Sequence, residues 1–522
     1  MTQRHFVVVG AGLGGLAVAL RLSHRGHKVT VLEKTDQVGG RNRRIQVGRC
    51  TFDAGPTLMM MMDPFRKLFA DVGEDLDEVL APKLCDPSYR VFYADGTRLD
   101  GTTDVDAMAA RIRALSGARD EAGFRRLLPD LKALYEDSIP NFVRKNFDSP
   151  LDFFGPKQLI MVARHRMLAN LARRVAQYVR DPRLRMLFSF QTMYLGLSPY
   201  DAPWVYAVLT HMEYGEGIFF PKGGMVEIGR SIARLAEARG AEIRLNSPVA
   251  RIEGRTAILR SGERIEADGI ILNADLPYAE RVLLGGTDEP GADLSGDEVA
   301  RRTGRRSRRT YSCSAYMLYF DYDGRLPDLL HHNVFFGPDF KGNLDAIFHW
   351  NQVPKDPAFY ACISGRSEPS HAPAGRENLY LLIPCANLDR PFTRQDADAL
   401  REAALTRLES EVGFDRNRIA AEADYSPIDW ARDLNLDRGA AFGLSHHFLQ
   451  SAFFRPSNRC RKNPAVTFVG ASTVPGNGLP MVLISAELAE KRLEKAGLLN
   501  ERVSPAAASG APFPKGMGRQ TS

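Results

Sequence analysis

Cysteine is scarce in this chain: six in 522 residues, at Cys50, Cys85, Cys313, Cys362, Cys385 and Cys460, with no C-x-x-C spacing among them. That scatter argues against a disulfide framework and against a zinc site, and it favours a reducing, cytoplasmic compartment. Long apolar runs are missing as well. No uninterrupted stretch approaches the roughly 18 residues that a spanning helix requires, so any membrane contact is expected to be peripheral. Charge of one sign is not in excess. The 69 Lys plus Arg against 63 Asp plus Glu leave +6 over the whole length, which gives no reason to expect nucleic-acid binding. Neither a G-x-S-x-G elbow nor a metal-spaced set of histidines is present. The pairs His331-His332 and His446-His447 are adjacent in sequence. Neighbours on a strand point to opposite faces, which favours a loop or surface placement over ligation, and no metal is expected.

The composition that remains, 44% hydrophobic and 25% charged, is that of an ordinary globular protein, and the length suits two interleaved domains better than one core. Near the N-terminus Arg4 precedes an apolar stretch from Phe6 to Leu20, as in a secretory signal. Four glycines crowd that stretch, however, and it leads directly to the charged Glu33, so it reads as mature protein.

Those glycines carry the first chemistry. Gly10-Ala11-Gly12-Leu13-Gly14-Gly15 matches G-x-G-x-x-G between a β-branched run (5 to 9) and a helical pattern (14 to 25), followed by a second strand (28 to 33) ending on Glu33. Gly10 permits the tight turn, Gly12 lets a pyrophosphate approach the backbone, and Gly15 lets helix and strand pack closely. The helix N-terminus offers amides and a positive dipole to phosphates. Glu33 stands where a carboxylate accepts hydrogen bonds from ribose hydroxyls, and it disfavours a 2′-phosphate. The motif does not separate FAD from NAD. Gly39-Gly40-Arg41 adds a second close backbone approach and a fixed cation, which a nicotinamide enzyme does not need. A second glycine-rich segment, Phe468 to Leu488, suggests a flavin held by both ends of the chain.

Val38-Gly39-Gly40-Arg41, Phe52-Asp53-Ala54-Gly55-Pro56-Thr57, Phe220-Pro221-Lys222-Gly223-Gly224-Met225, Ser312-Cys313-Ser314 and Gly470-Ala471-Ser472-Thr473 with Pro475-Gly476-Asn477-Gly478 resemble the bacterial and fungal phytoene desaturases, within the flavin amine-oxidase-like superfamily. The resemblance runs from about residue 5 to 495. It implies a two-domain α/β architecture in which a Rossmann-like FAD-binding domain interleaves with a substrate domain of mixed sheet plus helices. It implies that Gly10, Gly12, Gly15, Glu33, Gly40 and Arg41 bind the ADP and pyrophosphate of FAD, that the Val249 backbone meets the adenine, and that Asp275 closes a strand returning to the nucleotide. Gly470, Gly478 and Met481 would then lie against the ribityl chain and isoalloxazine. Val474 departs from the family pattern, which commonly has His there, and removes one hydrogen bond beside the flavin.

The implied reaction is dehydrogenation across saturated carbon-carbon bonds of a long apolar isoprenoid, with hydride passing to FAD. No residue is assigned as catalytic, and the electron acceptor, quinone or oxygen, stays open. A C30 diapophytoene desaturase and a carotenoid isomerase are rival activities on the same scaffold. A flavin amine oxidase and a non-enzymatic prenyl-protein chaperone are more distant ones.

The chain divides accordingly: 1–100, FAD-binding domain, first part; 101–219, helical substrate or membrane-facing region; 220–290, FAD-binding domain resumed; 291–440, substrate sheet; 441–500, FAD-binding C-terminal part; 501–522, a disordered Pro, Ala, Gly and Ser-rich tail. Met59 to Met62 suit either a tunnel wall or core packing. Phe188, Phe190, Tyr194, Phe219, Phe220, Phe335 and Phe336 invite the same two readings. The stretch FFGPKQLIMVARHRMLANLARRV, with Lys157, Arg164, Arg166, Arg173 and Arg174, reads as one amphipathic helix on a membrane surface or on the protein surface. Six arginines between Arg301 and Arg309 suit anionic lipid or a solvated loop.

Overall fold

The computed structural model describes residues 3–285 and 309–499. The arginine cluster up to residue 308 and the tail after residue 500 lie outside the described residues.

The strand β1 (His5–Val9), the helix α1 (Leu13–His24) and the strand β2 (Lys28–Leu32) form the right start for a nucleotide fold. β1 pairs in parallel with β2 on one side and with the strand Gly269–Leu272 on the other. The strands Val466–Phe468 and Ala241–Arg244 complete a five-stranded parallel sheet. Its near-continuous apolar strands are what a sheet covered on both faces requires. Helix α1 packs against the helices Val226–Glu237 and Leu479–Lys495, so both chain ends share one core. Asp53 anchors the first of these helices: its carboxylate accepts the Met225 and Val226 amides at 2.9 and 3.0 Å, at the start of the helix Val226–Glu237.

A seven-stranded sheet stands apart from the parallel one. Its longest strands are the antiparallel pair Ser314–Asp323 and Arg376–Cys385, ten residues each and buried on both faces. A helical region from residue 105 to 216 has its own core around Phe124, Leu131, Phe188 and Trp204, which also takes in Val91, Val334 and Phe336 beside the seven-stranded sheet.

Two local readings of the sequence change, and a third stretch, AEIRLNSPVARI, whose residues alternate as in a half-buried strand, divides into two strands. Asn246 adopts a left-handed backbone (φ 51°) and donates its amide to Thr35, so 241–244 edges the parallel sheet while Val249–Glu253 opens a separate three-stranded meander. The stretch from 153 to 175 is not one helix. Arg166 turns left-handed (φ 49°) after Pro156–His165, and a second helix runs from Leu171 to Tyr178. The strands Arg90–Phe92 and Arg98–Asp100, inside the segment 1–100, belong to the seven-stranded sheet, where Arg90–Phe92 pairs in parallel with His332–Phe335.

Candidate functional site

The fingerprint loop is built around close backbone contacts. Gly10 has a positive φ of 99° and donates its amide to Leu32 at 2.8 Å, which ties the loop to β2. Gly12 caps α1 and has no side chain to give the first helical amides, and a Cβ there would stand 2.7 Å from Asn273 Oδ1. A Cβ on Gly15 would strike the Gly10 carbonyl. Gly39 donates to the Ala11 carbonyl at 2.8 Å, and a Cβ on Gly40 would lie 3.3 Å from Gly12 Cα, so the second glycine turn stacks on the first. Glu33 is buried. Its carboxylate accepts the Ala11 amide at 2.7 Å and the Thr35 amide and hydroxyl at 2.9 Å each, which orients it at the loop while leaving lone pairs for further donors.

Arg41 donates to the Ala441 carbonyl at 2.8 Å. Burial lowers its pKa and the nearby Asp275 carboxylate counters this. Asp275 in turn accepts the Ser472 hydroxyl at 2.7 Å and the Asp437 amide at 3.1 Å, and burial pushes its carboxyl upward. The C-terminal loop is held from behind by Arg455, whose guanidinium donates to the carbonyls of Leu444, Ser445, Ala471 and Thr473 at 2.6 to 3.3 Å. Burial lowers Arg455 to about 10, which leaves it charged at neutral pH. Sequence reading missed this residue, because nothing in FFRPSN marks an arginine as a collector of carbonyls.

These parts enclose a cavity of about 610 Å³. Gly10, Gly12, Glu33, Gly40, Arg41, Val249, Asp275, Gly470, Gly478 and Met481 line it, and Gly15 lies behind the wall. The space continues past Met60, Phe190, Tyr194 and Phe336 to Phe153, Leu168 and Phe448. Of the Met run, only Met60 reaches it; Met59 and Met62 pack in the core of the parallel sheet and Met61 in the helical core. Phe188, Phe219, Phe220 and Phe335 are likewise packing residues. Charged side chains on the wall, among the described residues, are Glu33, Lys34, Arg41, Arg260 and Asp275, all on segments around the glycine loops. The far end is apolar.

That end opens on an exposed apolar face. Leu151, Phe154, Leu159, Ile160 and Leu168 are exposed on one side, and Phe448, Leu449 and Phe454 on the other. The Phe153 and Phe453 rings stack 6.1 Å apart between them. The stretch 448–454 carried no signal in the sequence, since its short turns have no amphipathic period. Among the described residues, no helix is long and apolar enough to cross a membrane.

Two polar groups near the cavity escaped the sequence. Glu213 is buried and accepts from Tyr194 at 2.8 Å, Gln191 at 2.7 Å and Tyr89 at 3.1 Å; burial pushes its carboxyl up to about 7 despite these donors. His446 lies in a loop, as one of the two expected placements had it, but is buried there rather than at the surface. Its Nε2 accepts the Asn477 amide at 3.4 Å, beside the loop that carries Val474. Burial and the Arg455 charge hold it neutral. His331 and His332 are buried too, against the same expectation. His331 stands in the bend before the strand His332–Phe335, so strand alternation does not separate the two rings.

The sequence profile of the flavin containing amine oxidoreductase family matches residues 13–489. A zeta-carotene-forming phytoene desaturase of Myxococcus xanthus is 40% identical, over 94% of this chain and 94% of its own. A 4,4'-diapophytoene desaturase (4,4'-diaponeurosporene-forming) of Staphylococcus haemolyticus is 30% identical, over 93% of this chain and 98% of its own. Among solved structures, a putrescine oxidase superposes with a TM-score of 0.58 at 17% identity, covering 94% of this chain and 98% of its own. That likeness bears on the fold alone.

Proposed function

The chain belongs to the flavin containing amine oxidoreductase family, in the branch of the phytoene desaturases, and on that premise we propose that it desaturates a long apolar isoprenoid of the carotene class. Its cofactor is FAD, which when bound supplies the hydride acceptor. The glycine loops, with Asn273 packed against both, admit backbone amides to the pyrophosphate where a side chain would block it. Glu33 would receive the ribose hydroxyls, Arg41, its charge balanced by Asp275, would serve the diphosphate, and Gly470, Gly478 and Met481 would flank the ring system. Gly15 acts one step removed, by letting α1 pack on the loop.

The observation that carries the proposal is the single cavity that begins at these loops and ends at an exposed apolar face. Its far wall is apolar, which suits a substrate without a polar handle. A cationic amine would find no carboxylate there to offset its desolvation. Exclusion of water by Phe190, Phe336 and Met60 leaves the allylic carbon no competing nucleophile. The two sides of the mouth, 151–168 and 448–454, are proposed to dip into a lipid surface, with Lys157, Arg164 and Arg166 at the headgroups. The substrate then enters from the bilayer without crossing water. The terminal electron acceptor is proposed to be a quinone in the same bilayer or oxygen.

Coexpression with a phytoene-producing or a diapophytoene-producing pathway tests the proposal. Red-shifted polyene spectra in one host identify the chain length, and unchanged precursor in both contradicts the reading.

A further inference from the structure

Cys85, His331 and His332 meet in the interior, at the seam between the core of the parallel sheet and the seven-stranded sheet. The Cys85 thiol and a ring nitrogen from each histidine all lie within 4.8 Å of one another. All three residues are more than nine-tenths buried, with exposures of 8%, 7% and 1%. The imidazole rings are 4.0 Å apart and inclined by 33°.

The hydrogen bonds around them are those of oriented ligands. His331 Nδ1 bonds the Ser367 hydroxyl at 2.6 Å, and His332 Nδ1 bonds the Tyr360 hydroxyl at 2.6 Å. Both Nε2 atoms are buried without a partner. Two orphaned nitrogens on rings 4.0 Å apart are unusual, since buried polar atoms are nearly always satisfied. A thiol proton given to one of them would still leave the other alone. With Nδ1–H donating outward, both Nε2 lone pairs are free, which is how second-shell oxygens set histidines that ligate metals.

We propose that Cys85, His331 and His332 form a closed site for a thiophilic d10 cation, zinc(II) or copper(I), that ties the segment after the strand Lys83–Leu84 to the seven-stranded sheet. The cation takes one lone pair from each Nε2 and forms one bond to sulfur; the thiol proton is released to solvent. Copper(I) is content with three ligands and is neutralised by the single thiolate, whereas zinc(II) needs a fourth donor and keeps a positive charge. The site lies one residue from the cavity: Tyr360 lines it and also bonds the Thr57 hydroxyl at 2.8 Å. A bound cation would therefore fix a stretch of the cavity wall through Tyr360. This site is independent of the proposed desaturation, and its test does not read activity.

The FAD-loaded full-length protein is incubated with zinc(II), or with copper(I) kept reduced by ascorbate, passed through gel filtration, and assayed for metal by mass spectrometry. Wild type and Cys460→Ser, which changes a cysteine outside the cluster, are expected to keep an equivalent of one of the two metals. Cys85→Ser and His332→Gln are expected to lose it, and Ser367→Ala to bind about 10-fold more weakly or worse. The preferred metal is the one retained at the lower free concentration. X-ray absorption of the loaded wild type provides a check that needs no variant to fold: one sulfur at about 2.3 Å and nitrogens at about 2.0 Å are expected. Wild type that retains neither metal, an absorption shell without sulfur, or folded Cys85→Ser with undiminished metal overturns the site.

Discussion

The side-chain amide of Asn273 donates to the Val469 carbonyl at 3.1 Å, and the same side chain is what a Cβ on Gly12, Gly14 or Gly470 would strike. One residue from the middle of the chain thus holds the first and last glycine-rich segments in contact. It does so from the end of the strand Gly269–Leu272, whose neighbours in the sheet are β1 and Val466–Phe468. The sheet order brings the three segments together, and Asn273 sets their spacing.

Gly12→Val should remove FAD from the purified protein. Its branched side chain would occupy the approach to the helix amides and press on Asn273. Flavin absorbance should vanish while circular dichroism stays native. Stoichiometric flavin in the folded variant would show that the cofactor lies elsewhere.

Asn273→Ala leaves the Gly12 and Gly470 contacts open and frees the Val469 carbonyl. A cost of about 1–3 kcal/mol is expected for the unpaired buried carbonyl. Thermal melts with and without FAD separate the two effects, and the larger loss is expected in the loaded protein.

Glu213 predicts a pH dependence with a definite sign. Its folded pKa, about 7, lies above the ordinary 4.5, so the native state holds the proton more tightly than the unfolded chain. The protonated carboxyl is fully stabilising below pH 4.5, and that contribution is lost as pH rises toward 7, by roughly 3 kcal/mol in all. Glu213→Gln should flatten the melting temperature across this window. Parallel curves for wild type and variant would contradict the assignment.

The exposed mouth predicts lipid binding. Ile160→Glu and Leu449→Glu change solvent-facing residues, so stability should hold within about 0.5 kcal/mol. Each removes an anchor that would contribute about 1.5–3 kcal/mol on burial, so liposome partition should fall about 10-fold or more per substitution. Point substitutions are the better probe than removing 153–175, because Met161, Leu171 and Val175 belong to the core. Unchanged cosedimentation would remove this face from the membrane proposal.

The nucleotide half of the fold was legible because its signals are local. Glycines in a fixed spacing, an apolar strand on either side and an acid at Glu33 each restrict their own stretch of backbone. The breaks at Asn246 and Arg166 were not, since a non-glycine residue in left-handed backbone leaves no mark in hydrophobic pattern. His331, His332, His446, Glu213 and Arg455 stayed hidden for a different reason. Each is buried by segments tens or hundreds of residues away, and strand alternation says nothing of a histidine in the bend before a strand. The second side of the mouth, Phe448 to Phe454, is a set of short turns whose apolar face exists only once Phe153 packs on Phe453.

The most direct test of desaturation through this cavity is an anaerobic single turnover. FAD-loaded protein is mixed with liposomes carrying phytoene or diapophytoene, without quinone or oxygen, and the flavin absorbance is followed together with the polyene. The expected result is bleaching of the flavin in step with one new double bond per flavin reduced, and none with putrescine. Bleaching by the amine, or an oxidised flavin that persists beside both isoprenoids, would contradict it.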